Sequence, residues 1–339
     1  MGRSRTRRPD RRASLWTRTR RGAVASLLAA AALWAPMGWS ADAYPSHPIR
    51  LISGFAPGGA TDVAARSISV KLGELLGQSV FVENKPGGSG NIAAEMVARA
   101  NPDGYNMYLA NTTIAMPSLF KKLPFDASKD LVPMSMVGLG PSALVVNPEL
   151  PVRSVKELID LAKKQPGKLN YASGGIGNIT HMTMELFVAM TGIEVMHVPY
   201  KGGAPSTVAI MGGETQFGFC AIASTVGPIK AGKVIPIAVS SKTRSQALPN
   251  VPTVAEAGVP GFDATSWYAL MLPGGTPQPI VDKLSNAMIK ALANKELQTQ
   301  LINAGIEPVH GGSEEFSKYM ASETVKWEKI IAARHITAD

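Results

Sequence analysis

The stretch IRLISGFAPGGATDVAARSISVKLGELL, residues 49–76, contains a complete strand–loop–helix unit. Its first five residues are mainly apolar and β-rich, and residues 61–76 repeat apolar side chains at helical spacing. Between them lies the turn Pro57-Gly58-Gly59, whose glycines allow backbone N–H groups to face outward. Because the N-terminus of a helix attracts anions, the stretch predicts either a tight turn or one side of an anion site.

The same alternation of short strands and helices continues along the chain, which predicts an α/β fold with parallel βαβ units. Further strands are predicted at 79–84, 105–110, 168–173, 194–200, 215–222 and 234–240. Helices are predicted at 91–100, 155–164, 179–190, 206–212, 277–293, 295–304 and 313–333. Residues 131–147 and 264–273 read as extended passages.

The two extended passages, near 138–146 and 262–271, join two α/β series. A chain that leaves one lobe, builds a second and returns makes a double-crossover hinge with a cleft between the lobes. The predicted lobe 1 comprises residues 44–142 plus 264–339, and the predicted lobe 2 comprises residues 143–263.

The positive charge of the chain is concentrated in its first 43 residues. The whole chain of 339 residues carries a formal charge of +9, and residues 1–43 account for +7 of it. The remainder is close to neutral, so no nucleic-acid partner is expected. The arginine-rich start, the apolar run 22–34 and the A-x-A site at 41–43 predict a signal peptide that is removed before Tyr44. Export to the periplasm is therefore expected, by either the Sec or the twin-arginine route.

Four loops share one design: each follows a predicted strand, is rich in glycine or small polar residues, and leads into a helix. Open α/β sheets bind ligands at such loops, and helix starts offer unpaired N–H donors. Two loops in each predicted lobe indicate an anion held between the lobes, and none of them contains an arginine. The loops are APGGATD (56–62), PGGSGN (86–91), ASGGIGNITH (172–181) and YKGGAPS (200–206).

Other site chemistries have weaker support in the sequence. GxGxxG, the P-loop pattern and GxSxG are absent, and no two histidines have metal-ligand spacing on one helix, so no metal or cofactor is expected. The single cysteine, Cys220, lies in an apolar run and is interpreted as a core thiol. The alternative to a binding protein is a periplasmic hydrolase that uses Ser173 or Cys220 with His181.

Several polar and aromatic residues outside the glycine turns are candidate ligand contacts. Asp62, at the start of a helix, is interpreted first as a helix cap and second as a ligand contact. Asn84, Asn111, Thr112 and Thr113 lie at predicted strand ends, where amide and hydroxyl groups could bind an oxygen-rich ligand. Lys201 lies in the fourth loop, and Trp267 and Tyr268 in the second crossover either pack the hinge or cover a ligand.

Five segments, in order and spacing, resemble the Bug (Bordetella uptake gene) family of extracytoplasmic solute receptors of tripartite tricarboxylate transporters. The resemblance covers essentially all of the chain after Ala43. The segments are YPSHPIRLISGFAPGGATDVAAR, VENKPGGSGNIAAEMVARANPDGY, ASGGIGNITHM, HVPYKGGAPS and LPNVPTVAEAG.

The resemblance implies a two-lobed periplasmic-binding-protein fold of the type II-like, Venus-flytrap kind, which closes over a small carboxylated solute and has no catalytic activity. It implies that one carboxylate is held by backbone N–H groups, hydroxyls and bridging waters of two loops. The corresponding residues are Phe55, Ala56, Gly58, Gly59 and Asp62 at the first loop, and Ser173, Gly174, Gly177, Asn178, Thr180 and His181 in the third loop, residues 172–181.

The third loop, residues 172–181, departs from the family pattern because Ile176 and Ile179 stand where polar residues are usual. This change predicts fewer side-chain donors and a pocket suited to an aliphatic or aromatic carboxylate. The implied partners are the solute and the membrane subunits of a tripartite transporter, with a membrane sensor kinase as an open alternative. A monomer is expected.

Overall fold

The structure is a computed structural model that describes residues 1–2, 44–309 and 311–338. The predicted signal peptide lies outside the described residues, apart from its first two. The chain divides into a unit Met1–Tyr44 and a compact unit Pro45–Asp339, and the second unit carries the fold. Within the described residues, no helix combines the length and apolar character that crossing a membrane requires.

The second unit alternates strands and helices, as the sequence pattern predicts. The strands are β1 (Ile49–Ser53), β2 (Val80–Asn84), β3 (Asn106–Asn111), β4 (Leu131–Gly140), β5 (Ser142–Val146), β6 (Asn170–Ser173), β7 (Met196–Pro199), β8 (Phe217–Ala221), β9 (Ile235–Val239), β10 (Ser266–Pro273) and β11 (Glu307–Pro308). The α-helices are α1 (Ala60–Leu76), α2 (Asn91–Ala98), α3 (Ala127–Asp130), α4 (Val155–Lys164), α5 (Ile179–Thr191), α6 (Gly203–Met211), α7 (Ile222–Lys230), α8 (Gln278–Leu292), α9 (Lys295–Asn303) and α10 (Ser313–Arg334).

The strands form two mixed sheets. The first has the order β11-β4-β10-β3-β1-β2, and the second has the order β7-β6-β8-β5-β9. The pairs β1–β2, β1–β3, β6–β7 and β6–β8 are parallel, which agrees with the predicted βαβ units. Strands β4, β5 and β10 run antiparallel to their neighbours because they carry the chain between the sheets.

Two crossovers connect the sheets, and they lie side by side. Strand β4 ends at Gly140 in the first sheet, and β5 begins at Ser142 in the second. The returning strand β10 pairs Ser266 with Gly140. A side chain at Gly140 would meet the ring of Tyr268 at 2.4 Å, so glycine is required at this crossover. The structure thus has the predicted two-lobed α/β architecture with a double-crossover hinge.

Helix α10 packs against both sheets. Its Phe316 belongs to the apolar cluster of the first sheet, with Ile52 and Trp267. Its Trp327 and Ile331 belong to the cluster of the second sheet. The second cluster therefore contains residues from outside the predicted 143–263 segment, and the lobe boundaries given above stay a prediction.

Two helix predictions need correction. Helix α6 begins at Gly203, three residues before the predicted start, because Gly202 at φ 118° reverses the chain directly into it. Helix α7 was not predicted, since its sequence IASTVGPIK contains a glycine and a proline, the two poorest helix formers. Its position directly after a core strand overrides this low helix propensity.

Candidate functional site

The first glycine loop, residues 54–59, connects β1 to helix α1 and is held by Asp62. The Asp62 carboxylate accepts hydrogen bonds from Gly58 N–H at 2.9 Å, Arg66 Nε at 3.0 Å and Asn84 Nδ2 at 2.9 Å. Burial raises the pKa of Asp62, but these hydrogen bonds outweigh burial and hold the pKa below its ordinary value. Asp62 thus holds the loop in place, and its carboxylate is occupied by protein donors.

Asn84 supports the same loop from strand β2. Its side-chain amide donates to Phe55 O at 3.0 Å as well as to Asp62. The α1 start itself has Gly59 as its N-cap and no side-chain cap, so the N–H groups of its first turn are open to a ligand.

The second-lobe loop, residues 174–178, connects β6 to α5 through the N-cap Asn178. The Asn178 side chain accepts from Thr180 N–H at 3.0 Å, and Thr180 Oγ1 accepts from Gly174 N–H at 2.9 Å. Gly177 has a positive φ of 72°, a conformation that favours glycine. The loop is therefore closed on itself by short polar side chains before any ligand is considered.

Two stacked imidazoles lie beneath this loop. The rings of His181 and His197 are 4.2 Å apart and nearly parallel, and Tyr171 stacks on the other side of His197. His181 Nδ1 accepts from Gly177 N–H at 3.2 Å, and His197 Nε2 lies 2.6 Å from Ser173 Oγ. Burial lowers the pKa of His181 to about 4, and burial together with His181 lowers that of His197 to about 4. Both rings are neutral at pH 7 and hold the loop by hydrogen bonds.

Three helices begin at one small cavity between the two sheets, here called the inner cavity. The starts are those of α1 (Gly59, Ala60, Thr61), α5 (Asn178, Ile179, Thr180) and α6 (Gly203), and the volume is about 30 Å³. Phe55, Asn111, Ala221, Ser266 and Tyr268 complete the wall. Each start contributes a partial positive charge, so the arrangement favours an anionic group.

A larger outer cavity of about 630 Å³ is lined by residues of all four predicted loops. Gly54, Phe55 and Ala56 come from the first loop and Pro86 to Ser89 from the second, while Gly174, Gly175, Tyr200, Lys201, Gly202 and Pro205 come from the other two. Phe55 lines both cavities. Residues of all four loops thus line one cavity.

Ser89 connects the two sides of the outer cavity. Its hydroxyl donates to Ile176 O at 2.7 Å, which joins the second loop to the third. Ser89 has φ 53°, a left-handed conformation that is uncommon for a residue other than glycine. This strained residue bridges the cleft, and its hydroxyl makes a direct contact between the loops on its two sides.

The structure divides the predicted site residues into three groups. Seven line the cavities: Phe55, Ala56, Gly59, Gly174, Asn178, Thr180 and Lys201. Six hold the loops behind them: Gly58, Asp62, Asn84, Ser173, Gly177 and His181. The remaining three, Thr112, Thr113 and Trp267, line neither cavity.

The third group has structural contacts instead. Thr112 Oγ1 accepts from Trp267 N–H at 3.0 Å, which ties the end of β3 to β10. The Trp267 ring is fully buried against Phe316 and Tyr319. Of the two interpretations of Trp267, packing at the hinge is the one that its contacts support.

Tyr268, which the sequence predicts either to pack the hinge or to cover a ligand, lines the inner cavity. Sequence reasoning did not select Ser266 and Ala221, which line the same cavity. They lie on strands, and their position at the crossover was the only available signal. Asn111 lines the same cavity and accepts from Thr113 N–H at 3.1 Å.

The hydrolase alternative has no support in the structure. Ser173 is fully buried, and its close histidine is His197 rather than His181. Cys220 is also fully buried, and burial raises the pKa of its thiol to about 11, which disfavours the reactive thiolate. Among the described residues, no group of three or more histidine, cysteine or acidic side chains could hold a metal ion.

Comparison with known proteins agrees with this geometry. Residues 64–336 match the family described as "Tripartite tricarboxylate transporter family receptor". The protein BugT of Bordetella pertussis is 35% identical over 311 residues, which cover 91% of this chain and 95% of BugT. A UPF0065 protein of Pseudomonas sp. strain P51 is 35% identical over 88% of this chain and 89% of its own length.

Solved structures show the same similarity. The R. palustris protein Rpa4515, solved with adipate, has a TM-score of 0.84 at 33% identity and covers 87% of this chain and 99% of that one. The periplasmic binding protein BugD has a TM-score of 0.83 at 31% identity, covering 87% and 99%. MatC of Rhodopseudomonas palustris, solved with malate, has a TM-score of 0.79 at 29% identity, covering 85% and 100%. These relatives are solute-binding proteins, and the chain belongs to the tripartite tricarboxylate transporter receptor family.

Proposed function

We propose that this protein is a periplasmic receptor that captures a small carboxylate between its two lobes and delivers it to a tripartite tricarboxylate transporter-type membrane system. The observation that carries the proposal is the convergence of three helix starts on the inner cavity. A carboxylate there would accept hydrogen bonds from N–H groups that have no partner within their helices.

The chemistry of the inner cavity suits a carboxylate without a salt bridge. No residue of its wall carries a formal charge, so recognition would depend on helix starts, on the hydroxyls of Thr61 and Ser266, and on the Asn111 amide. Each helix start typically stabilises an anion by about 0.3–1 kcal/mol at exposed sites and by up to about 2 kcal/mol when partly buried. Three starts acting on one carboxylate would make a site of useful affinity.

Lobe closure would complete the site. The inner cavity draws on both sheets, and the Ser89–Ile176 hydrogen bond joins loops from both sides of the cleft. Opening the cleft would separate the α1 start from the α5 and α6 starts and expose the bound group to water. Capture and release would then correspond to closing and opening about the double crossover.

The experiment that tests this function is a thermal-shift screen of small aliphatic and aromatic carboxylic acids, followed by calorimetry. We expect several carboxylates to raise the melting temperature, since a ligand that binds only the folded state stabilises it. The matched amides and methyl esters are the controls and should give no shift. If no carboxylate stabilises protein that has been refolded to remove bound solutes, the receptor assignment fails.

The location and the membrane partner belong to the same proposal. A leader removed before Tyr44 would deliver the receptor to the periplasm, where BugD, a solved relative, is described as a periplasmic binding protein. N-terminal sequencing of protein from an osmotic-shock fraction tests this, with Tyr44 as the expected first residue. An uncleaved chain in the cytoplasmic fraction would contradict it.

A further inference from the structure

The outer cavity contains a single formally charged side chain among the residues that line it, Lys201. The other residues of its wall are glycines, the prolines Pro86 and Pro205, Ala56, Ser89 and the rings of Phe55 and Tyr200. An ammonium group at the edge of an otherwise uncharged cavity attracts an anionic group more strongly than it would on an open, mixed-charge surface.

Lys201 has no carboxylate at ion-pair distance in the part of the chain that the structure describes. The cations near the first two loops, by contrast, are paired: Arg66 with Asp62 at 3.0 Å, and Lys85 with Glu83 at 2.6 Å. The Lys201 side chain is exposed, and its charge is therefore available to a ligand.

The backbone on both sides of Lys201 is held in place. Tyr200 N–H donates to Ser173 O at 3.0 Å, and Gly202 N–H donates to Gly174 O at 3.1 Å. These bonds tie the fourth loop to the third, so Lys201 projects from a fixed part of the cavity wall. The fixed backbone at Lys201 is a second observation that supports contact with a ligand, and it does not depend on the charge of the side chain.

The two cavities also restrict how a ligand could lie. The inner cavity, at about 30 Å³, takes only one small group, because a cavity of about 10–15 Å³ already holds a single water molecule. The rest of the ligand would extend into the outer cavity, since Phe55 lines both and Gly202 and Gly203 are neighbours in sequence. There it would meet an apolar wall formed by Phe55 and the two prolines.

From this arrangement we infer that Lys201 binds a second anionic group of the ligand, so that the receptor selects dicarboxylates over monocarboxylates of similar size. The first carboxylate occupies the inner cavity, a short apolar chain crosses Phe55, and the second carboxylate pairs with the Lys201 ammonium. This inference rests on the proposed function and names the ligand class of the same site.

The test is a double-mutant cycle between the protein and the ligand, measured by calorimetry. The probes are linear dicarboxylates from succinate to suberate, each compared with its own monomethyl ester, which keeps the length and removes one charge. The variants are Lys201→Gln, which removes the charge, and Lys201→Arg, which keeps it. Lys233→Gln is the matched control, because Lys233 is exposed and lines neither cavity.

We expect the best-bound dicarboxylate to bind about tenfold more tightly than its monoester, a difference of about 1.4 kcal/mol. Lys201→Gln should weaken the dicarboxylate about tenfold and the monoester less than about twofold, whereas Lys201→Arg and Lys233→Gln leave the preference intact. Equal weakening of both probes, an unchanged preference in Lys201→Gln, or tighter binding of the monoester would overturn the inference alone. If neither probe class binds the wild-type protein while the wider carboxylate screen finds a ligand, the inference alone is overturned. If no carboxylate of that screen binds either, the proposed function falls with it.

Discussion

His181 and His197 are the residues at which protonation most directly affects the site. Each ring holds part of the second-lobe loop, His181 through Gly177 N–H and His197 through Ser173 Oγ. Glu185 lies 3.7 Å from His181 Nε2, but it also accepts from Arg334 and Tyr171. The helix start beside His181 contributes a further positive potential. The surroundings therefore favour two neutral rings, and a proton on His181 Nδ1 would remove the acceptor for Gly177.

The stability of the protein should consequently depend on pH in a defined window. Burial lowers the pKa of each imidazole to about 4, whereas an unfolded histidine titrates near 6.5. Between these values the unfolded chain binds more protons than the folded chain, so the free energy of unfolding falls as the pH decreases from about 6.5 to 4. Each ring should contribute on the order of 3 kcal/mol to this fall, which urea unfolding at a series of pH values would measure.

Replacing one ring of the pair separates the histidine contribution from that of the carboxylates. His197→Gln should reduce the slope of stability against pH by about half in this window, because only His181 then titrates. His47→Gln is the control, since His47 is exposed and lies outside the stack. A slope that is the same in wild type and His197→Gln would contradict the account.

At the scale of single residues, sequence reasoning identified the loops better than the role of each residue in them. The preference for a structural role of Asp62 is consistent with its contacts, because a carboxylate at a helix start is satisfied by local donors. The stacking of His197 under the loop could not be predicted, since it comes from the pairing of β6 with β7 and leaves no local pattern. Ligand contact by any of these residues stays a prediction.

The element that sets the geometry of the first lobe is the contact between its two glycine loops. A side chain at Gly54 would lie 2.6 Å from Gly90 Cα, and Gly90 itself packs against Tyr108 and Phe55. The close approach of these two backbones requires glycine at both positions, independently of any ligand. It brings the end of β1 and the start of α2 together beside the outer cavity.

Gly54→Ala should therefore weaken both stability and carboxylate binding. We expect a loss of about 1–3 kcal/mol in the free energy of unfolding, typical of overpacking a close contact, because the added methyl group must push the second loop away. The measurements are urea unfolding and calorimetry with the best ligand of the carboxylate screen.

The matched control is Gly212→Ala, at the C-terminal end of helix α6, where the backbone is right-handed helical and an added Cβ meets only backbone oxygens at 3.5 Å or more. This variant should be neutral or more stable by up to about 1 kcal/mol, since alanine restricts the unfolded chain more than glycine does. If Gly54→Ala proves as stable as the wild-type protein and binds equally well, the loop contact does not determine the site.

At the scale of elements, most strands and helices follow directly from local patterns. Helix α4, for example, has Ser154 as its N-cap, and the Ser154 hydroxyl accepts from Glu157 N–H at 3.2 Å. The predictions failed where tertiary contacts override local preference, as in helix α7, and local patterns did not indicate the pairing direction of the crossover strands. Strand β10 pairs antiparallel with both β3 and β4, and nothing in its own sequence specifies that direction.

At the scale of the whole molecule, the two crossovers and helix α10 link the lobes. This helix contributes Phe316 to the cluster of the first sheet and Trp327 to the cluster of the second. Unfolding either cluster would remove packing from the other through the same helix. We therefore expect residues 44–339 to unfold in one cooperative transition, although the fold is divided into two sheets.

The distribution of tryptophan makes this expectation measurable. Trp267 and Trp327 are the only tryptophans after Ala43, and each is fully buried in a different cluster. Trp327→Phe leaves a fluorescence reporter in the first cluster, and Trp267→Phe leaves one in the second. Within each variant of the chain that starts at Tyr44, the fluorescence midpoint in urea should coincide with the midpoint from far-UV circular dichroism. Comparison within one variant is essential, because each substitution lowers stability by its own amount. Separate fluorescence and dichroism midpoints in either variant would mean that the lobes unfold independently and that α10 does not couple them.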